Sequence, residues 1–523
     1  MKNLFLFFLV LPTVINFILL IVWLYKCRGY LKNFFYKQGW GMLIFLCIIF
    51  VVSFILRVTI VSPKHLMYTD EFLYMKAAKN LLMFGNFGDY RKSLGWPFIN
   101  AIMFGIFGVS NWVSIYTSIF FGSLTTINIF LMVYFLFRDK YIAMLSSLIF
   151  AMMPAHILWS ATAETNVVSI FFVTSCILVL FLYFKVQNEE LSWLSLLLIS
   201  FTAQIRGENY ILFGLFIVGA FIFIKRMPKV KSDIWFISIC LSLPNLIQLV
   251  LFQFSTNWLE KESAGAMQGQ NFSFHNLYSN SAALAPRLFD GSLYPELFVV
   301  LFLIGFIYLW YFSYKHNLFL FTWFIVIYLI YFAGWFQVCN TFSAKARYFI
   351  AFYPIFTLWF ASGLFFCLEK IKYLRLQRFF LIVIASIILI YFLPYANIEG
   401  ARHPQNRLET EVIEKAEAQL PTDCIIVANF PEVLTSTTSL KVIRIEDFLR
   451  DSKYQDTVFR QYKCVLFFED YFCFAFPDPV IRNNCSQIKD TFYLEPFKSY
   501  SINYDKYDLK QISYTFYRIQ HKK

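Results

Sequence analysis

The feature that most constrains this chain is the recurrence of apolar stretches long enough to cross a bilayer. A hydrocarbon core about 30 Å thick takes a helix of roughly 20 apolar residues, because backbone polar groups in lipid must find partners inside the segment. By that measure about twelve spans are expected, near 4–25, 41–61, 112–136, 141–157, 165–184, 190–205, 209–224, 233–254, 294–313, 317–337, 347–368 and 379–397. Composition agrees: 15% of residues are charged, against about 25% in an ordinary soluble domain. The expected fold is mainly α, a polytopic membrane protein. No small-residue cleavage site follows the first span, which reads as a retained helix rather than a signal peptide.

The net charge of +13 is explained by where the cations lie. Lys and Arg crowd into 26–38, 225–231 and 369–378, and with 138–140, 185–190 and 314–317 these loops alternate without a break. The positive-inside tendency makes them cytoplasmic, so the excess calls for no nucleic-acid partner. The loop 62–111, the links near 160 and 207, the loop 255–292, the link 338–346 and the tail then fall on the extracytoplasmic side. The expected localisation is the cell membrane, multi-pass. The tail is polar, with strand-like runs at 424–429, 441–445, 463–468 and 513–519 and helix-like segments at 407–420 and 444–454. That alternation reads as a small α/β domain, dividing the chain at 397/398, with 62–111 as an outer catalytic loop.

Cysteine usage fits this division. Cys27, Cys47, Cys176, Cys240, Cys339 and Cys367 lie in or beside apolar segments and read as small core residues. Cys424, Cys464, Cys473 and Cys485 lie in the tail, where a Cys473–Cys485 disulfide is the candidate and connectivity stays open. No CxxC or HxxxH spacing occurs, and neither a metal nor a cofactor is expected.

The segment "TDEFLYMKAAKNLLMFG" (69–85) places paired acids beside a span. Thr69 reads as an N-cap with Asp70 and Glu71 in the first turn, where the helix dipole favours anions. Leu73, Tyr74, Ala77, Ala78, Leu81 and Leu82 form one stripe, Lys76, Lys79 and Asn80 the other face, and Gly85 the stop. Such a helix is expected to lie flat at the interface. The stretch 95–108 reads as a second interfacial or re-entrant element. Capping alone would explain the two acids, but ionisable groups held at a membrane boundary are usually functional. Glu164, Arg206, Glu208, Lys345 and Arg347 are expected on the same face from separate hairpins. Arg57, near the end of its span, reads as a snorkelling residue.

Such a set suits a sugar carried on a polyprenyl phosphate, whose anomeric carbon lies at the interface while its tail lies in lipid. A carboxylate deprotonates the attacking alcohol or amine, and cations stabilise the departing phosphate. A single displacement inverts the anomeric centre, whereas retention needs a second carboxylate as nucleophile.

The motifs "TDEFLYMKAAKNLLMFGNF", "GWPFINAIMFGIFGVS", "MMPAHILWSATAETNVVSIFF", "QIRGENYILF" and "KARYFIAFYPIF", in this order over roughly residues 40 to 370, resemble those of GT-C glycosyltransferases. The resemblance is to the family 39-like group of protein O-mannosyltransferases and aminoarabinose transferases. It implies a GT-C fold and no cofactor. The implied partners are a polyprenyl-phosphate sugar donor, membrane lipid and a glycan, lipid or protein acceptor. It implies Asp70 as catalytic base, Glu71 supporting it or contacting the sugar, and Glu164 facing donor or acceptor. Lys345 and Arg347 would hold the lipid phosphate, with Arg347 better suited to bidentate contact. Arg206 and Glu208 would pair to complete the substrate pocket, and Tyr74 joins the substrate-binding set. The chain departs from the pattern at Gly207, where Pro is usual, and in its extra N-terminal span. An oligosaccharide polymerase or oligosaccharyltransferase would share this outer site. A secondary transporter would instead place charges or broken helices at the midplane, often in two related halves, and no half-to-half similarity is evident.

Overall fold

The computed structural model describes the chain apart from residues 1, 30–39, 61–68, 88–91, 225–231, 255–273, 290–295, 335–343, 372, 374, 378, 388–389, 391–411, 414, 437, 471–472, 474–478, 504–510 and 522–523. Helices α1 (Lys2–Lys26), α2 (Trp40–Ile60), α3 (Thr69–Phe84), α4 (Gly95–Phe107) and α5 (Asn111–Phe137) come first. They are followed by α6 (Lys140–Met152), α7 (Pro154–Ser160), α8 (Thr165–Val186), α9 (Glu189–Ile205) and α10 (Ile211–Phe223). Then come α11 (Ser232–Phe254), α12 (Phe274–Phe289), α13 (Glu296–Gly334) and α14 (Tyr353–Lys370), with 3-10 turns at Gly207–Tyr210 and Ala344–Phe352.

Among the described residues six helices are long and apolar enough to cross a membrane, or seven if α6 and α7, bent by 60°, count as one span. The sequence expectation of about twelve also takes in shorter helices. Helix α9 has 17 residues, about 25 Å at 1.5 Å per residue, short of the hydrocarbon thickness. The two spans expected near 294–313 and 317–337 are both present within α13, as two helices joined by a kink at Ser313 (φ −157°, ψ 75°) and folded so that the Phe306 and Phe321 rings lie 5.8 Å apart. The span expected at 379–397 lies partly outside the described residues. Where α13 crosses α14 the backbones touch: a Cβ on Gly305 would fall 1.7 Å from the Trp359 carbonyl oxygen, and one on Gly363 1.9 Å from that of Leu301. Small residues at such crossings let membrane helices pack by close contact.

The tail forms a five-stranded mixed sheet of order β2-β1-β3-β5-β4. Its strands are β1 (Cys424–Ala428), β2 (Val442–Arg444), β3 (Cys464–Glu469), β4 (Phe492–Asn503) and β5 (Gln511–His521). β1 is parallel to both β2 and β3, while β5 runs antiparallel to β3 and β4. All five residues of β1 are buried, as a central parallel strand covered on both faces requires. Four strands were legible. β4 was not, because Pro496 interrupts its alternation and the ladder shifts register between Pro496 and Lys498. Disulfides join Cys473 to Cys485 and Cys424 to Cys464. Of the six remaining cysteines, Cys27 and Cys176 are buried as expected, Cys47 and Cys240 are exposed, Cys367 is intermediate, and Cys339 lies outside the described residues.

Helix α3 forms over the expected residues and packs against both the bundle and the tail. Phe72, Met75 and Ala78 share a core with Val412, Ala416, Leu434 and Phe516 of the tail. Tyr74 and Ala77 pack into the helical bundle. Lys76 pairs with Glu432 at 3.8 Å, and Lys79 Nζ donates to the carbonyls of Thr435 and Thr438 at 3.2 and 2.8 Å. The helix is thus packed on two sides, and its lysines hold the tail. Its end stays apolar and open, with Leu82, Met83 and Phe84 exposed. Gly85, at φ +68°, stops it as expected. The side chain of Thr69, the expected cap, lies outside the described residues.

Candidate active site

Four charges from four distant segments meet above the bundle. Asp70, in the first turn of α3, accepts from Lys92 Nζ at 2.6 Å through one oxygen and from Arg347 Nη2 at 3.4 Å through the other. Arg347, in the 3-10 turn before α14, donates from Nη1 to Glu164 Oε1 at 2.7 Å. Glu164 occupies the N-cap position of α8 (φ −78°, ψ 156°) but makes no capping hydrogen bond. Its carboxylate reaches Arg347 instead.

The link that carries Glu164 is pinned at the preceding residue. The Ala163 N–H donates to Glu71 Oε2 at 2.6 Å, and the Ala163 carbonyl accepts from Trp96 Nε1 at 2.7 Å. Glu71 is fully buried, and its carboxylate accepts from this backbone amide, which holds the link in place.

A second charged pair lies alongside. Arg206 grips Glu208 through two contacts, Nη2–Oε1 at 2.6 Å and Nε–Oε2 at 3.3 Å, which is the pairing expected from sequence. Its Nη1 also donates to Thr165 Oγ1 at 3.3 Å and to Asn166 Oδ1. The Tyr348 ring centre lies 5.3 Å from both the Arg206 and the Arg347 guanidinium carbons, joining the two groups through cation–π contact. Beside them opens a pocket. Arg206, Glu208, Asn166 and Arg347 line its polar side, and Ile170, Trp323, Ile327 and Ile330 its apolar side.

Electrostatics separate the two carboxylates. Burial pushes the Asp70 carboxyl up, but Lys92 and Arg347 outweigh it and hold the group at about 2. Glu164 is raised, because burial outweighs the Arg347 charge beside it. Burial disfavours the Lys92 ammonium, yet the Asp70 charge raises its pKa above the usual lysine range. The Asp70 side chain is 26% exposed and that of Glu164 only 2%, so Asp70 is the one open to an incoming reactant.

Tyr74 is buried, with Lys92 Nζ 5.6 Å from its ring centre, which places it behind Lys92. Lys345 is the second residue of the turn that carries Arg347, and its side chain lies outside the described residues. Sequence reading missed Lys92, Tyr348, Asn166 and Trp96. Lys92 had a signal: it is a basic residue in a loop assigned to the face from which Lys and Arg are otherwise drawn away. Among the described residues no group of three or more His, Cys, Asp or Glu is placed to hold a metal ion.

Residues 91–252 match the family model described as dolichyl-phosphate-mannose-protein mannosyltransferase. That stretch holds Lys92, Glu164, Arg206 and Glu208 and stops short of Asp70 and Arg347 on either side. No curated protein matches the chain by sequence. Among solved structures, ArnT from Cupriavidus metallidurans in the apo state is similar at 10% identity and a TM-score of 0.63, covering 92% of this chain and 98% of that one. The same protein bound to undecaprenyl phosphate is similar at 9% identity and a TM-score of 0.54, covering 91% and 98%. The chain thus shares the fold of ArnT, and its residues 91–252 are similar to the mannosyltransferase family.

Proposed function

We propose that this protein moves a sugar from a polyprenyl-phosphate-linked donor to an acceptor alcohol or amine on the extracytoplasmic face of the cell membrane, by single displacement with inversion. The observation that carries the reading is the meeting of Asp70, Arg347 and Glu164, with Lys92, at one point. The name of the matched family and the lipid phosphate bound by ArnT support the donor class.

In this reaction the acceptor oxygen or nitrogen forms a bond to the anomeric carbon as the bond from that carbon to the phosphate oxygen breaks. The bonding pair leaves on the phosphate, and the acceptor proton passes to Asp70. At about 2, Asp70 is a weak base, and a general base works best with a pKa nearer the working pH. The donor resolves this. Its phosphate draws Lys92 and Arg347 to itself, and a carboxylate relieved of two cations becomes more basic. The base is therefore armed when the donor is in place. Arg206 and Glu208 contact sugar hydroxyls, and Ile170, Trp323, Ile327 and Ile330 take the first isoprene units. Glu164 is bound to Arg347 and closed to solvent, so it orients the phosphate ligand and is not a nucleophile for a retaining route.

The test is release of polyprenyl phosphate by purified protein in lipid, supplied with a panel of polyprenyl-phosphate sugars. Asp70→Asn is expected to lower turnover by about 10²–10⁴, the usual worth of a general base, in a protein that still folds. Turnover close to wild type in that variant removes Asp70 from the mechanism.

A further inference from the structure

Arg57 of α2 is fully buried and does not snorkel to the interface as its position in the sequence suggested. Its described partners are all neutral. Nη1 donates to the carbonyls of Ser53 and Ala151 at 2.8 and 3.2 Å and to Ser53 Oγ. Nε donates to Ser160 Oγ at 3.1 Å, and Nη2 to His156 Nδ1 at 2.8 Å. A guanidinium only donates, so His156 Nδ1 accepts, and the ring is neutral with its proton on Nε2. Placing an arginine inside the bundle without a carboxylate is costly, and the location shows what the contacts achieve.

They surround the break between α6 and α7. The backbone leaves the helix at Met153 (φ −60°, ψ 116°), and Pro154 starts α7. Ala151 lies in the last turn of α6, where carbonyls lose their intrahelical partners, and Arg57 takes one of them. His156 and Ser160 are the middle and the end of α7. One fork therefore ties the last turn of α6 to two points of α7, which sets the bend. The link 161–164 leaves directly from Ser160. Helix α5 closes on the same spot: a Cβ on Gly122 would come within 2.6 Å of Ser160 Oγ and 2.9 Å of Val167.

We infer that Arg57 is a positioning residue for the transfer site, splinting the broken span α6–α7 so that the link after it presents Glu164 to Arg347. The inference rests on the transfer site proposed above. Arg57 fixes where the link begins, and Glu71 and Trp96 fix where Ala163 lies, one residue before Glu164.

The test uses the full-length protein in lipid nanodiscs. Arg57→Lys keeps the charge and loses the fork, and His156→Ala removes one strut should the first variant fold poorly. Hydrogen exchange in peptides spanning 155–164 is expected to speed up about tenfold, as for a local opening, with α5 and α8 unchanged. In donor release, Arg57→Lys is expected to lower kcat about tenfold with the donor KM held within about twofold, and to add no further loss in a Glu164→Gln background, since groups acting as one unit are non-additive. Exchange that is unchanged, or raised evenly across the protein, overturns the inference. So does an equal fold-loss in both backgrounds. Wild-type turnover in Glu164→Gln alone identifies a different failure, that of the proposed site itself, and takes this inference with it.

Discussion

Lys92 and Arg347 hold Asp70 ionised in the free protein, and by the same contacts hold its basicity down. That arrangement gives the acid limb of stability a definite sign. The Asp70 carboxyl sits at about 2, below its ordinary 3.8, so its contribution is complete above the ordinary value and is lost as pH falls toward 2. Melting temperatures in detergent are expected to fall less steeply between these pH values in Asp70→Asn than in wild type. Glu164 has the opposite sign: its raised carboxyl favours the fold at low pH, and that contribution fades as pH rises past the ordinary carboxylate range. Glu71 is expected to matter for stability more than for chemistry. Glu71→Ala strands the buried Ala163 N–H, at a cost of about 1–3 kcal/mol, measurable as a lower denaturation midpoint. At this scale the sequence was informative about Asp70, Glu164, Arg206, Glu208 and Arg347, because an ionisable group beside an apolar span stands out. Which partner each would choose was not legible. Asp70 and Glu71 are neighbours in sequence, yet one faces the open site and the other a buried amide, a difference that only the packing of α3 decides.

Helix α3 shows why a local pattern reads correctly and still leaves an element's partners open. Its stripe, its acidic first turn and its stop at Gly85 were all visible in the sequence. Amphipathicity says that a face is covered without saying by what, and the tail that covers part of α3 lies more than 300 residues further on. Lys79 is the clearest case: a polar residue on the face opposite the apolar stripe donates to two tail carbonyls. Lys79→Ala is expected to loosen the tail by about 1–3 kcal/mol, the cost of leaving buried acceptors unpaired. Faster limited proteolysis after residue 411, with the membrane portion intact, checks it. The Cys424–Cys464 disulfide was illegible for a related reason. Parallel strands β1 and β3 bring the two cysteines into register across a separation of 40 residues, and nothing local announces that pairing.

Across the whole molecule, the helical bundle, the small sheet domain and the GT-C fold were legible, since bilayer thickness leaves few alternatives to long apolar helices. The number of spans was less so. Hydropathy does not separate a short helix packed among others from one that crosses alone, and six or seven described helices meet the length test where about twelve were expected. What the fold accomplishes is to bring α3, the link before α8 and the turn before α14 to one point, with the pocket alongside. The account's central claim is that Asp70 competes with the donor phosphate for Lys92 and Arg347 before serving as base. The most direct measurement pairs two quantities in Asp70→Asn: affinity for polyprenyl phosphate in nanodiscs and donor turnover. The account predicts binding tightened by about three- to tenfold, as two cations lose a competing anion, together with turnover reduced at least about a hundredfold. Weaker binding of polyprenyl phosphate, or turnover that survives the substitution, would contradict it.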